Sequence, residues 1–226
     1  MKIVRITEDT IVRPHQFVHV KPGQTLAGMM EQFQGLKEFP GEADNPLIMA
    51  ALGIRSGVLT GRKSWTEVHG DELAWCSGIL ELFAHALGLN TIADIPPHVK
   101  SELPDARGRM GQRSVRNYCL KARAWAYAGL MVWEPGDTLE QLQEVVHANC
   151  VIGYGRGDRP YADWRDLRGF GHVAAGISVT SDPWKVHSVG GNERNQIRIS
   201  NRSPRDVLFV VDLTKPSQHW GETTPA

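Results

Sequence analysis

From Cys150 to Leu213 the chain reads as five short runs, CVIGY, HVAAGISV, WKVHSVGG, NQIRIS and DVLFVVDL. Each is rich in β-branched and small apolar residues, and each is separated from the next by Gly, Asp-Pro, Asn or Ser-Pro. Runs of this length bounded by turn residues predict strands, and such close succession predicts an antiparallel meander. The earlier sequence has a helical period instead. Helices first and strands afterwards predict an α+β domain, with N-terminal helices packed on an antiparallel β-sheet.

Thr25 is placed to cap a helix carrying Leu26, Met29, Met30 and Phe33 on one stripe, with Gly35 to stop it. A loop, LKEFPGEADNP, precedes a second helix over Pro46 to Leu52, and Gly53 to Gly70 reads as irregular. In DELAWCSGILELFAHALGL, Asp71 is a candidate N-cap and Gly88 lies just past the end. Leu73, Cys76, Leu80, Phe83 and Leu87 recur there at helical spacing, so Cys76 falls near the helix start on the buried stripe. A further helix is expected over Val115 to Leu130, then a turn at Glu134 to Asp137 and a helical insertion, TLEQLQEVVHAN. The first twenty residues alternate weakly and read as short strands. These features divide the chain into an extension over 1–24, a domain over 25–213 and a tail over 214–226.

Composition excludes several classes. Twenty-five basic residues balance twenty-five acidic ones, so no global field favours nucleic acid or an anionic membrane. The basic stretch from His98 to Arg123 reads as a solvated loop and helix face in preference to a site for anionic polymer. No apolar run approaches the roughly 18–20 residues of a membrane span. The N-terminus MKIVRITEDT lacks the apolar core of a secretory signal, which predicts synthesis in the cytoplasm. Cys76, Cys119 and Cys150 are too few and too widely spaced for a disulfide framework or a paired zinc site, so reduced thiols are expected.

A helix N-terminus lowers a thiol pKa, and a nucleophilic cysteine needs an imidazole and a group to orient that imidazole. Cys76 has the first property, although a cysteine on an apolar stripe also serves as plain core. His172 opens a strand run after Gly169-Phe170-Gly171. Period-two alternation puts it on one face with Ala174, Gly176 and Ser178, whose small side chains would let a helix bring Cys76 to the ring. Asn192, after Gly190-Gly191, is placed either as the orienting amide or as a simple turn residue. Glu193 and His187 are the neighbouring substitutes for that third role.

The order and wording of DELAWCSG, ARAWAYAG, a Pro-Gly-Asp turn, GHV and Gly-Gly-Asn resemble phage and bacterial peptidoglycan hydrolases of the NlpC/CHAP superfamily, across about residues 25–213. The resemblance implies a papain-like fold with Cys76 as nucleophile, His172 as general base and acid, and Asn192 as the orienting third member. It also implies a monomeric cysteine amidase or endopeptidase that cleaves cell-wall peptide without a metal or organic cofactor. An endolysin acting on the periplasmic or extracellular wall fits this pattern. The alternatives are an injected antibacterial effector amidase and a non-catalytic phage structural or wall-binding protein that keeps the fold. VKPGQTLAGMM resembles the opening of a LysM wall-binding repeat, but the second half of such a repeat does not follow. The insertion after Asp137, the long stretch from Leu89 to Val115 and GHVAAG depart from the superfamily pattern around the cleft, so substrate preference does not carry over.

Overall fold

Alternation in the C-terminal runs gives two apolar faces, and helices cover both. The computed structural model of the chain describes residues 3–5, 18–37, 47–48, 67–69, 75–90, 130–155 and 171–215. Their order is β1 (Ile3–Arg5), α1 (Leu26–Gln32), β2 (Glu67–His69), α2 (Cys76–Ala86), β3 (Met131–Trp133), α3 (Leu139–Val145), β4 (Cys150–Gly155), β5 (Gly171–Ser181), β6 (Trp184–Glu193), β7 (Gln196–Arg202) and β8 (Val207–Asp212), with a 3-10 turn over Pro204–Asp206. Strands β3 to β8 form one six-stranded antiparallel sheet in the order β3-β8-β4-β5-β6-β7. Among the described residues α1, α2 and α3 pack on it, as an α+β arrangement requires.

The expected meander holds from β4 to β7 only. β8 returns to pair with β4, and Met131–Trp133, which sequence reading passed over between a helix and a turn, forms an edge strand beyond it. β4 is thereby central, and Cys150 to Tyr154 are all buried. Val151, Val173, Ala175, Val189 and Phe209 face α1 and α2 in one core. Ile152, Tyr154, Ala174, Val186 and Val210 face α3 in the other. The two-stranded pairing of β1 with β2 puts a strand inside the stretch from Gly53 to Gly70 that was expected to be irregular.

Local signals position the helices. Thr25 caps α1 as expected, its Oγ1 accepting from the Gly28 N–H at 3.1 Å. The turn before β4 satisfies two more of that helix's orphan donors: Leu26 N–H donates to Asn149 Oδ1 at 2.8 Å and Ala27 N–H to the Ala148 carbonyl at 2.8 Å. After Gly35, in the left-handed region at φ 88°, the chain runs along β7, where Gly35 N–H donates to the Ile197 carbonyl and Ile197 N–H to the Leu36 carbonyl. α3 begins in a capping box between Thr138 and Gln141, so the expected helical insertion is present.

Helix α2 differs from the expected one-sided stripe, because Cys76 through Ala84 are all buried, Ser77 and Glu81 included. Its first helical residue is Cys76, and the capping position expected of Asp71 is taken by Trp75, whose side chain makes no capping bond. Asp71, Cys119 and the expected Val115–Leu130 helix lie outside the described residues apart from Leu130, which is not helical, and of the Pro46–Leu52 helix Leu47 and Ile48 alone are described. Among the described residues no helix is long and apolar enough to cross a membrane.

Gly153 lets the sheet close over Phe209: a Cβ there would stand 1.9 Å from the ring's Cε1 atom, and Phe209 is fully buried. Overpacking of this kind costs about 1–3 kcal/mol. Gly153→Ala is expected to lower the thermal midpoint by several degrees, measured by circular dichroism. An unchanged midpoint would contradict the packing described for β4 and β8.

Candidate active site

Cys76 stands in the first turn of α2. The preceding Trp75 makes no side-chain capping bond, and the Ile79 N–H closes the turn on the Trp75 carbonyl at 3.0 Å. The positive end of an eleven-residue helix therefore bears on the thiol. Cys76 is almost fully buried, as is the His172 ring whose nitrogen it reaches.

His172 is the second residue of β5, directly opposite Tyr154 of β4. Its Nε2 lies 2.9 Å from Glu193 Oε1. Neither ring nitrogen has a well-aligned hydrogen bond, so proximity of charge rather than a linear donor geometry governs the contact. Burial pulls the His172 pKa down, but the Cys76 thiol and the Glu193 carboxylate outweigh it, and the net shift is upward. Glu193 moves the other way. Burial alone would raise its pKa, yet His172 and Arg202 bring it from an ordinary 4.5 down to about 2.

Glu193 is held from behind. Its Oε1 accepts from Ser200 Oγ at 3.1 Å and from Arg202 Nη2 at 3.1 Å. Ser200 Oγ lies 3.4 Å from Ser188 Oγ, which accepts from the Tyr154 hydroxyl at 3.0 Å. The Arg202 guanidinium sits 4.8 Å over the Tyr154 ring, a cation–π geometry. One nearly buried carboxylate thus sits between an imidazole and a guanidinium, the compensation that a charge withdrawn from water requires.

Two glycines make room for this. A Cβ on Gly190 would stand 2.5 Å from His172 Nε2, and one on Gly191 would stand 2.5 Å from Ile79 Cγ2 and 2.7 Å from the Trp75 ring. The imidazole fills the first gap and the start of α2 fills the second. The small residues expected to admit the helix serve another purpose. Ala174 belongs to the core under α3, and the space at Gly176 is taken by Cys150 Sγ and Val146. Ser178 does not share their face, because β5 has a bulge between Gly176 and Ser178 and it is Val179 that joins the cluster of Ala174.

Of the residues singled out in the sequence, Cys76 and His172 are brought together. Asn192 makes no side-chain hydrogen bond to the ring, and the group beside His172 is its neighbour Glu193. Asn192 has φ 59°, in the left-handed region. His187 lies elsewhere on β6, 3.4 Å from Thr180 Oγ1. Tyr154, Ser188, Ser200 and Arg202 were missed. For Ser200 and Arg202 the one sequence signal is polar residues at period two in QIRISNR, which reads equally as a solvated strand face. Cys150 is fully enclosed, and burial pushes its thiol up to about 12, out of reach of nucleophilic chemistry near neutrality. Among the described residues no three His, Cys, Asp or Glu side chains are grouped as a metal site would need. Searches of protein-family models, curated proteins and solved structures find no match to this chain.

The two opposed pKa shifts define a pH window. Stability from Glu193, whose pKa is depressed, is present above about 4.5 and lost as pH falls toward about 2. Stability from His172, whose pKa is raised, is present below its ordinary 6.5 and lost as pH rises through the folded value. Glu193→Gln is therefore expected to destabilise most between about pH 4.5 and 6.5, with the gap to wild type closing on either side. Denaturant titrations at a series of pH values measure this, and a gap that stays constant down to about pH 2 would show that the pairing contributes nothing.

Proposed function

We propose that the chain is a cysteine amidase or peptidase of the NlpC/CHAP papain-like type that hydrolyses an amide bond in bacterial cell-wall peptide. The observation carrying this reading is the meeting of a helix-start cysteine with a buried histidine whose ring is flanked by a carboxylate. A helix-borne thiol followed in sequence by a histidine at a strand start is also the order of that superfamily. The cell-wall substrate rests on the wording around DELAWCSG, GHV and GGN.

In this mechanism the Cys76 thiolate attacks the amide carbonyl carbon as His172 holds the proton. The developing oxyanion is stabilised by backbone N–H groups at the start of α2. The C–N bond breaks as the imidazolium protonates the leaving amine, giving a thioester on Cys76. The neutral imidazole then takes a proton from water, whose oxygen attacks the thioester carbon; the C–S bond breaks, releasing the carboxylic acid and returning the Cys76 thiolate beside the imidazolium. Glu193 stabilises the imidazolium through both halves and fixes the ring, the role of the carboxylate in a catalytic triad. Asn192 has no proton to move in this scheme.

Digestion of purified peptidoglycan, with mass spectrometry of the soluble fragments, tests the proposal and identifies the bond from the new amino termini. Cys76→Ser is expected to lower turnover by about 10³-fold or more, because a hydroxyl ionises far less readily than a thiol. Cys150→Ser should keep most of the turnover and lose stability by about 1–3 kcal/mol for a buried hydroxyl. Iodoacetamide should label Cys76 before Cys150, with inactivation in step. Absence of fragments from several wall types would favour a non-catalytic phage component instead, and undiminished turnover in Cys76→Ser would remove the nucleophile.

A further inference from the structure

Between the pairs Gly190 to Arg198 and Glu193 to Gln196, β6 advances three residues while β7 advances two. One residue of β6 is therefore extra, which is a bulge. Within this stretch Asn192 alone has a positive φ, at 59°. Just beyond it, Arg194 at φ 53° and Asn195 at φ 61° form a two-residue left-handed hairpin loop that fixes Glu193 opposite Gln196.

The extra residue decides which way Glu193 faces. Side chains alternate along a strand, so in an unbulged β6 the residue at 193 would share the face of Gly191. That face is occupied by Trp75 and Ile79 of the α2 layer. With one residue inserted, the alternation slips and Glu193 joins the face of Gly190. There the His172 ring, Ser200 and Arg202 meet it, and Glu193 Oε1 comes to 3.1 Å from where a Gly190 Cβ would stand.

We infer that Asn192 is a positioning residue that acts through its backbone: its left-handed bulge turns Glu193 onto the His172 ring, and its side-chain amide is not required. Asparagine suits the position because it tolerates the left-handed region better than other residues with a Cβ. Glycine would adopt the same φ without an amide, and a β-branched residue would resist it. This role rests on the proposed function of Cys76 and His172, yet its test reads the histidine directly.

The experiment follows the His172 ring resonances by NMR through a pH titration in wild type, Glu193→Gln, Asn192→Gly, Asn192→Ala and Asn192→Val, with circular dichroism to establish folding. The groups facing the ring are Cys76, Glu193 and Tyr154, with Arg202 behind Glu193. Glu193→Gln is expected to lower the His172 midpoint. Asn192→Val should titrate like Glu193→Gln, Asn192→Gly like wild type, and Asn192→Ala between them. Turnover on cell-wall peptide should fall about tenfold in Asn192→Val and less than about threefold in Asn192→Gly. If the valine variant does not fold, the glycine and alanine variants still decide. A glycine variant that titrates like Glu193→Gln would assign the role to the amide and overturn the inference, as would a folded valine variant with the wild-type midpoint. Intact titration behaviour across the series with no hydrolysis by wild type would leave the bulge standing and remove the proposed function.

Discussion

Two adjacent glycines in β6 leave the sheet bare on both faces at one point, and the rest of the site is arranged around that gap. Gly190 gives up a side chain to the imidazole, and Gly191 gives one up to Trp75 and Ile79 at the start of α2. Packing density permits no third solution, since an interior vacancy is filled or costs stability. A methyl group on either glycine would collide with a ring or a packed helix rather than with a flexible chain end. The approach of α2 to the sheet, and so the meeting of Cys76 with His172, depends on these two absent side chains.

Charge explains why the gap is filled by such polar groups. A histidine with no exposed surface is costly to protonate, and a nearly buried carboxylate is costly to ionise. Each becomes tolerable beside the other, and Arg202 and Ser200 complete the balance on the far side of Glu193. The Tyr154 ring supports Arg202 from β4, so strands β4, β5, β6 and β7 all contribute to holding one carboxylate. Removing one member of such a set leaves an uncompensated buried charge, which costs more than the set gained by forming.

The two described cysteines show how position overrides residue type. Cys150 begins a central strand, is sealed by Gly176 and the turn at His147, and behaves as a small apolar side chain. Cys76 is also buried, but it lies at the positive end of a helix and against an imidazole. Burial alone raises a thiol pKa; a dipole and a neighbouring cation lower it. Nothing in the side chain distinguishes the two. Their surroundings do.

Local chemistry was legible in the sequence. Thr25 as a cap, Gly35 as a stop, the helix from Cys76 and the strand runs after Asn149 all follow from propensity and periodicity over a few residues, where chain neighbours supply the deciding interactions. Asn192 reads in the sequence as either an orienting amide or a turn residue, and its place in a bulge was not legible, because a bulge is a mismatch between two strands and has no signature in one. The same holds for the slip at Ile177 that separates Ser178 from Ala174, for β8 returning between β3 and β4, and for Arg202 coming round to Glu193 from the next strand. Sequence singled out the thiol of Cys76 and the imidazole of His172. Tertiary structure decided which carboxylate would stand beside the imidazole, because one extra residue in a strand reverses the face of everything after it, and only pairing with β7 reveals that the residue is extra.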